Sequence, residues 1–353
     1  MRGLLVKLML AAISTVVSVL LMEYLVRWIL PVYDPPGMIS FAYENGVPLA
    51  PKNFVGRQWK NTEDYDVSVR INSYGFRDNK DLSESTGEDL FVVGDSFSFG
   101  HGVEECERYS NLLETLLGKR VYNISIPTNI DGYDRLLAYA EEQGATVQNL
   151  LIGICMENDI RDYEAGEMPR SGCFWGAKVY LTGHSAAYNA LTAIIHQNAH
   201  LERVASRMKL VAEDPIRSGT RFPSKVAIES SVKRLKTLQE HHQIGKVTIV
   251  IIPSRGLWLG DERQMHAKVH EEFVGGLLAN GFKVIDLRGT FEKEGAPLQY
   301  HFKNDPHWNA QGHLQAAEAI FRYLKDNSCP ISDYSRPSGV FDEAMTEGVE
   351  KEQ

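Results

Sequence analysis

From residue 90 onward, short apolar runs alternate with segments whose apolar residues recur every three or four positions. The runs are rich in β-branched residues, which is typical of strands, and they cover residues 90–93, 120–124, 149–154, 247–252 and 283–286. The segments between them have the spacing of amphipathic helices. Strands that alternate with helices form a parallel sheet covered on both faces. We therefore predict a three-layer α/β/α sandwich with a parallel, flavodoxin-like sheet of about five strands, and a ligand site at the carboxyl ends of those strands.

Length, charge and cysteine usage narrow the class of protein. The 353 residues are enough for about two domains of the usual ~150 residues. Acidic side chains number 46 against 37 basic ones, and the formal net charge of −9 argues against nucleic acid or an anionic membrane surface as a partner. No C-x-x-C occurs among Cys106, Cys155, Cys173 and Cys329, which argues against a zinc knuckle or a disulfide framework and leaves one or two bridges open.

The amino terminus is apolar over a length that can cross a bilayer. Residues 8–22 contain no charge, and apolar residues continue to residue 30, interrupted only by Glu23 and Arg27. We interpret residues 1–30 as a membrane-spanning anchor, because apolar side chains surround the whole helix and no small-x-small cleavage site follows. A cleaved signal peptide and an amphipathic core helix are the alternatives. An anchor or a signal peptide predicts that the rest of the chain lies outside the cytoplasm, in the periplasm or at the cell surface.

The composition and periodicity of the remaining chain divide it into a lobe, a sheet domain and a tail. Residues 31–87 contain Pro-Pro and several glycines and form a lead-in lobe, and residues 88–326 form the domain that carries the sheet. An insertion at about residues 160–225 follows the third strand, and we predict that it caps the site. Residues 327–353 are acidic and without periodicity, which predicts disorder.

Three polar segments stand where the predicted fold puts its ligand site. Gly94-Asp95-Ser96 follows the first strand, Asn158-Asp159 follows the third, and Asp305-Pro306-His307 precedes the last helix. The serine hydroxyl would lie at the amino end of the next helix, where backbone amides and the helix dipole favour a developing negative charge. A serine, an imidazole base and an orienting carboxylate are the three parts of an activated nucleophile.

These segments resemble the conserved blocks of the SGNH (GDSL) hydrolase family. Over roughly residues 72–324 the four similar blocks are Gly94-Asp95-Ser96, residues 123–132, Asn158-Asp159, and Asp305 with His307. The lead-in Asn72-Ser73-Tyr74-Gly75-Phe76-Arg77 is similar to membrane-anchored members. Four blocks in the right order, each at a strand end, are far more specific than a lone Gly-Asp-Ser.

The resemblance implies a role for each site residue. Ser96 would be the nucleophile, His307 the general base and Asp305 the acid that orients it. The Ser96 amide, the Asn158 side chain and the Thr128 amide would stabilise the oxyanion, although Thr128 stands where the family has a glycine. The family implies no cofactor, and the histidines at 301, 307 and 313 suit no known metal-binding spacing.

The spacing of the last block departs from many family members. Asp305 precedes His307 by two residues rather than three, and the Asp-x-His-Trp form resembles alginate O-acetyltransferase-like proteins, in which this pair precedes the serine in the chain. Asp286, at the end of the fifth strand, is the main rival for the role of orienting acid. The acetyltransferase similarity is therefore partial.

The implied function is a serine esterase that removes O-acyl groups, especially O-acetyl, from an extracytoplasmic glycan through an acyl-serine intermediate. The alternatives are an O-acyltransferase acting on a polysaccharide, a lipid or thioester hydrolase, and a non-catalytic glycan-binding module of an export complex.

Several of these residues also have purely structural interpretations. Ser96 could cap a helix and Asn158 could serve a turn. His196 and His200 stand four apart, as ligands would, but a solvated pair is far commoner. Cys155 lies beside the site without a histidine-cysteine motif to make it a nucleophile.

Overall fold

The computed structural model describes residues 2–34, 39–60, 62–163, 180–198, 200–201, 204–205 and 222–326. Our expectations for the disordered tail 327–353, for much of the insertion, for the His196 side chain and for Cys173 and Cys329 fall outside the described residues. The helices are α1 Arg2–Ile29, α2 Ser96–Phe99, α3 Tyr109–Leu117, α4 Ile130–Glu142, α5 Ala186–Gln197, α6 Lys225–His241, α7 Arg263–Ala279, α8 Arg288–Glu292 and α9 Ala310–Asp326. The strands are β1 Ala42–Glu44, β2 Val47–Leu49, β3 Val55–Trp59, β4 Asp66–Arg70, β5 Leu90–Gly94, β6 Val121–Asn123, β7 Asn149–Cys155, β8 Lys246–Ile252 and β9 Lys283–Asp286.

The five predicted strands form one parallel sheet in the order β6-β5-β7-β8-β9. This order confirms the flavodoxin-like prediction. The chain order reverses between β5 and β7, and in sheets of this kind the crevice at that reversal is where ligands bind. Ser96 follows β5 and Asn158 follows β7, so the two residues stand on either side of the reversal.

Both faces of the sheet are buried by helices. Successive residues of a strand point to opposite faces, so each strand contributes side chains to two cores. Phe91 and Val93 enter one core together with apolar residues of α4, α6 and α7. Leu90 and Val92 enter the other core, against α3, α8 and α9. The structure is therefore the predicted three-layer sandwich.

The lead-in lobe forms two antiparallel hairpins, β1–β2 and β3–β4, that the sequence analysis did not predict. Buried residues of this segment, such as Val69, Ile71 and Phe76, belong to the same apolar cluster as Phe91 of the sheet. The Arg77 side chain, 1% exposed, donates to the carbonyls of Gly100 and Val103. The lobe is thereby fastened to the loop that follows Ser96.

Helix α1 holds the apolar amino terminus. Its segment Val6–Ile29 has a mean hydropathy of 2.0 and no buried residues, and among the described residues it is the one helix long and apolar enough to cross a membrane. Length and composition suit a membrane anchor and a signal sequence equally. Arg27 Nε donates to Glu23 Oε1 over 2.8 Å, so the two charges in this segment do meet.

Candidate active site

Ser96 stands at the first turn after β5. Asp95 caps this turn, because its carboxylate accepts a hydrogen bond from Phe97 N at 2.9 Å. Helix α2 has only four residues and ends at Gly100, where φ is +82°. The expectation that a helix dipole favours negative charge at Ser96 is therefore wrong, because a single turn has almost no macrodipole. The free backbone amides of this turn remain.

Close packing explains the glycine that precedes Asp95. A Cβ on Gly94 or on Gly153 would lie 2.3 Å from Ser98 Oγ, so a larger residue at either position would displace that hydroxyl. Ser98 in turn shares a 2.8 Å hydrogen bond with the Tyr109 hydroxyl. The Gly94-Asp95-Ser96 turn is thus fixed from below by packing between β5 and β7.

The loop before α9 brings His307 and Asp305 to Ser96. Nε2 of His307 lies 2.7 Å from Ser96 Oγ, and Nδ1 lies 2.5 Å from Asp305 Oδ1. The same carboxylate oxygen accepts the His307 backbone amide at 3.0 Å. Trp308, fully buried in the core below, anchors the loop. The structure therefore brings together the three residues that the sequence analysis singled out as a triad.

The second oxygen of Asp305 contacts the lead-in lobe. Oδ2 accepts a hydrogen bond from Lys60 Nζ at 2.9 Å and another from the Tyr65 hydroxyl at 3.3 Å. Burial alone would raise the pKa of Asp305, but the hydrogen bond and charge of His307, together with the charge of Lys60, outweigh it and hold the pKa far below its usual value. Asp305 is accordingly a carboxylate at any physiological pH.

His101 covers one face of the His307 ring. The two ring centroids are 4.1 Å apart with an interplanar angle of 23°. Both nitrogens of His101 are occupied, Nδ1 by Gln58 at 2.9 Å and Nε2 by the Tyr65 hydroxyl at 2.6 Å. Burial, reinforced by the charge of His307, lowers the pKa of His101 well below its usual value, so this ring is neutral.

Asn158 reaches the site from the end of β7. Its Nδ2 donates to Asp95 Oδ2 at 3.0 Å, which ties the side chain to the turn that carries Ser96. An amide nitrogen has two hydrogens, so the second remains for an oxyanion. Burial raises the pKa of Asp95, whose side chain caps the turn and holds Asn158.

Thr128 lies in the loop between β6 and α4. Its side chain packs against Gly132, where a Cβ would come within 2.1 Å of Thr128 Oγ1, and Asn129 caps α4 through Gly132 N. Gly132 is therefore needed for the packing of this loop. The oxyanion role of Thr128 stays a prediction.

The rival acid, Asp286, has another partner. Its Oδ2 lies 2.8 Å from His270 Nε2, and its Oδ1 accepts the Arg288 amide. Asp305 rather than Asp286 therefore stands against His307.

Two clusters of the described residues have the composition of metal sites. Ligand atoms of His101, Asp305 and His307 lie within 4.8 Å of one another, but every ring nitrogen in that cluster already has a hydrogen-bond partner within the site. The other cluster, Asp134 with His241 and His242, joins α4 to α6 by hydrogen bonds.

The other residues weighed from the sequence have structural roles. His313 Nδ1 accepts the Tyr109 amide at 3.3 Å, and the His301 ring packs against Trp258 and Phe291. Cys155 is buried, and burial raises the pKa of its thiol well above the usual range, which disfavours the thiolate.

The sequence analysis missed Lys60, Tyr65, Gln58 and His101. The first three lie on or between the strands of the β3–β4 hairpin, and His101 follows the glycine that ends α2. Gln58, Lys60 and Tyr65 lie within the lead-in lobe and His101 lies five residues after Ser96, and no local pattern distinguishes any of them from an ordinary surface residue.

No family model matches the chain, and no curated protein matches it. Among solved structures, it is similar to a member of the lipolytic G-D-S-L family from Veillonella parvula, with 13% identity and a TM-score of 0.41 over 67% of this chain and 98% of that chain. A lipase/acylhydrolase from Enterococcus faecalis gives 11% identity and a TM-score of 0.42, over 68% and 96%. A catalytic mutant of an acetylxylan esterase from Geobacillus stearothermophilus gives 14% and 0.39, over 69% and 96%. Because these TM-scores are below 0.5, the fold assignment rests on the sheet order and not on the likenesses.

Proposed function

We propose that this chain is a serine esterase in which Ser96 is the nucleophile, His307 the general base and Asp305 the acid that orients it. The observation that supports this most strongly is the continuous row of hydrogen bonds from Ser96 Oγ through the His307 ring to Asp305. A neutral imidazole that donates from Nδ1 to a carboxylate presents its Nε2 lone pair to the serine hydroxyl. The serine proton can then move to His307 as Oγ attacks.

The reaction proceeds through an acyl-serine. Ser96 Oγ adds to the ester carbonyl carbon while its proton passes to His307 Nε2, and the resulting oxyanion accepts hydrogen bonds from the Ser96 amide, the Asn158 side chain and the Thr128 amide. When the intermediate collapses, His307 returns the proton to the departing alkoxide, which leaves as an alcohol. Water then repeats the sequence on the acyl-serine and releases the acid.

The substrate class in this proposal is an O-acylated glycan, with acetyl as the acyl group. It rests on the resemblance of the sequence blocks, and above all of Asp305-Pro306-His307-Trp308, to glycan-acting members of the family. A sugar hydroxyl in place of water would turn the same acyl-serine into an acyltransferase intermediate.

We also propose that α1 anchors the enzyme in a membrane, with the sheet domain in the periplasm or at the cell surface. The 24 residues Val6–Ile29 exceed the ~20 that a helix needs to cross a bilayer.

The nucleophile is tested with a fluorophosphonate probe and an activated acetate ester. The wild-type chain and Ser83→Ala, an exposed serine in the lobe, should be labelled and should release acetate. Ser96→Ala should do neither, with unchanged circular dichroism. An unlabelled wild type together with a fully active Ser96→Ala would show that the nucleophile is wrong.

The substrate is tested by incubating the enzyme with acetylated cell-envelope glycans and following the products by mass spectrometry. Free acetate that is absent with Ser96→Ala supports the esterase. Acetyl groups that reappear on an added acceptor glycan would instead identify a transferase.

The compartment is tested with a reporter that is active only after export, fused after Gln353. The fusion should be active, and the same fusion lacking residues 1–30 should not. Activity of a reporter that works only in the cytoplasm would contradict the proposed orientation.

A further inference from the structure

We propose that helix α5, in the insertion that follows β7, lies within the boundary between headgroups and acyl chains of a phospholipid bilayer, beside the carboxyl end of α1. The inference rests on the proposed membrane anchor. It identifies a second membrane-contacting surface, formed by a part of the chain more than 150 residues away from the anchor.

The pattern of buried and exposed residues in α5 is the reverse of that of a helix in water. Its small and polar residues Ala186, Asn189, Ala190 and Ala193 are at most 7% exposed, whereas the large apolar Leu191 and Ile194 are 57% and 55% exposed. A water-soluble helix turns its large apolar residues inward. Small residues at the contact with large apolar residues outward are typical of helices packed against each other in lipid.

The face of α5 that carries the small residues packs against helix α1 and the turn that follows it. On α1, the half-buried residues are Glu23, Val26 and Arg27, which recur at helical spacing and form the facing stripe. The other described side chains of α1 are exposed. The exposed apolar residues of α5 thus belong to a helix that packs on the carboxyl end of α1, where Trp28 and Ile29 are also exposed.

Polar contacts fix the depth of α5 along the anchor. The Glu23 carboxylate accepts hydrogen bonds from Ser185 Oγ at 2.7 Å and from the amides of Ala186 and Ala187 at 2.8 and 3.0 Å. A carboxylate within an apolar span is costly unless it is paired, and here the start of α5 supplies its partners. Because Glu23 lies six residues before the end of α1, α5 starts at the level of the last turns of the span.

Three further hydrogen bonds continue this junction toward the end of α1. Arg27 donates hydrogen bonds to the His184 carbonyl, at 2.7 Å, and to the Asp34 carboxylate. Asn189 Nδ2 donates to the Tyr33 carbonyl at 3.3 Å. The polar groups of the junction thus run toward the end of α1, where the headgroups would lie.

The absence of charged residues and the length of α5 favour a bilayer as the partner of its exposed face. No Lys, Arg, Asp or Glu occurs between Lys178 and Glu202, so α5 offers a protein partner no permanent charge for an ion pair. Its 12 residues extend only about 18 Å, too short to span a bilayer but suited to an interfacial position.

The test uses the full chain reconstituted into phosphatidylcholine vesicles, with an environment-sensitive fluorophore on single introduced cysteines. Cys106, Cys173 and Cys329 are replaced by serine, and the buried Cys155 stays. Ile194→Cys and Leu191→Cys report on α5. Leu20→Cys reports on the anchor, and Thr237→Cys, exposed on α6, is the water-facing control.

The fluorophores at positions 194, 191 and 20 should be quenched by spin-labelled lipids and not by iodide, and the one at position 237 should show the reverse. Lipid quenching at position 20 with iodide quenching at 194 and 191 would overturn the inference and leave the anchor standing. Shielding of 194 and 191 from both quenchers would mean that protein covers α5, which also overturns it. If position 20 were open to iodide, the anchor and the inference would both fail, while ester hydrolysis by the same vesicles would report separately on the triad.

Discussion

Lys60 Nζ lies 2.9 Å from Asp305 Oδ2, on the carboxylate oxygen opposite the one that bonds His307. Lys60 follows β3, so a hairpin of the lead-in lobe places a positive charge directly behind the proposed triad. A cation there opposes protonation of the Asp305–His307 pair. The lobe would therefore tune the pH at which the enzyme becomes active.

Replacing Lys60 by methionine should move the acid limb of the kcat/KM profile to higher pH. The charge of Lys60 is one of the causes that hold the pKa of Asp305 low, so its loss makes the site more negative and a higher pH is needed to reach the active form. We expect a shift of about one pH unit, because the Lys60 side chain is 32% exposed and solvent screens part of its charge. The measurement is kcat/KM for an activated ester as a function of pH.

Two variants separate this effect from a loss of packing. Lys60→Arg keeps the charge and should restore the wild-type profile. Lys52→Met removes a lysine of the same lobe that pairs with Glu44, away from Asp305, and should leave the profile unchanged. A Lys60→Met enzyme with lower activity at every pH and an unmoved acid limb would assign Lys60 a structural role only.

The orienting acid is tested by comparing Asp305→Asn with Asp286→Asn. Loss of the acid that fixes the imidazole tautomer lowers kcat by about four orders of magnitude in enzymes of this kind, and we expect this for Asp305→Asn. Asp286 bonds His270 instead, so Asp286→Asn should keep kcat and change only stability. Near-normal turnover in Asp305→Asn would require the triad to be redrawn.

The proposed oxyanion role of Asn158 predicts a defect in kcat. Asn158→Ala should lower kcat by about 100- to 1,000-fold with little change in KM, because the lost hydrogen bond forms mainly in the transition state. Asn149→Ala is the matched control: it removes the same side chain from the other end of β7, where Asn149 bonds the Gly87 carbonyl over 2.7 Å. If both variants retain kcat, Asn158 serves only the turn that it makes with Asp95.

The sheet could be predicted from the sequence because each central strand carries its own signal. Strands buried on both faces are short, continuous apolar runs, as in β7 and β8. Helix α4 has an equally clear signal in Ile130, Tyr133 and Leu137, which recur at helical spacing, and its first three residues overlap the motif block at residues 123–132. The hairpin β3–β4 had a weaker signal, because neither of its strands is a continuous apolar run and only three of their ten residues are buried.

The site was predictable only as far as its residues follow strand ends or stand next to each other. Ser96 and Asn158 follow strands, and Asp305 stands two residues from His307. Lys60 reaches Asp305 across 245 positions of the chain, and no local pattern separates such a lysine from a solvated one. Tertiary contacts of this kind appear only when the lobe is folded against the sheet.

The last prediction concerns His242, which joins α6 to α4 and lies outside the proposed site. Its side chain is 2% exposed and its nitrogens lie 2.8 Å from Glu141 Oε2 and 3.2 Å from Asp134 Oδ1. Burial alone would lower the pKa of His242, but the hydrogen bonds with these two carboxylates outweigh burial and raise it to about 9. The hydrogen bond with His242 in turn lowers the pKa of Asp134 to about 2.

A histidine whose pKa is raised on folding stabilises the protein fully below its unfolded pKa of about 6.5, and this contribution is lost as the pH rises through 9. His242→Gln should therefore lower Tm most at pH 5 to 6, and the difference from wild type should shrink toward pH 10. Each 1 kcal/mol lost corresponds to roughly 2–4 °C in a domain of this size. His241→Gln is the control, because its side chain is 61% exposed and it should change Tm little at any pH. A His242→Gln deficit in Tm that stays constant from pH 5 to 10 would mean that His242 stabilises the helix pair by packing and not by its charge.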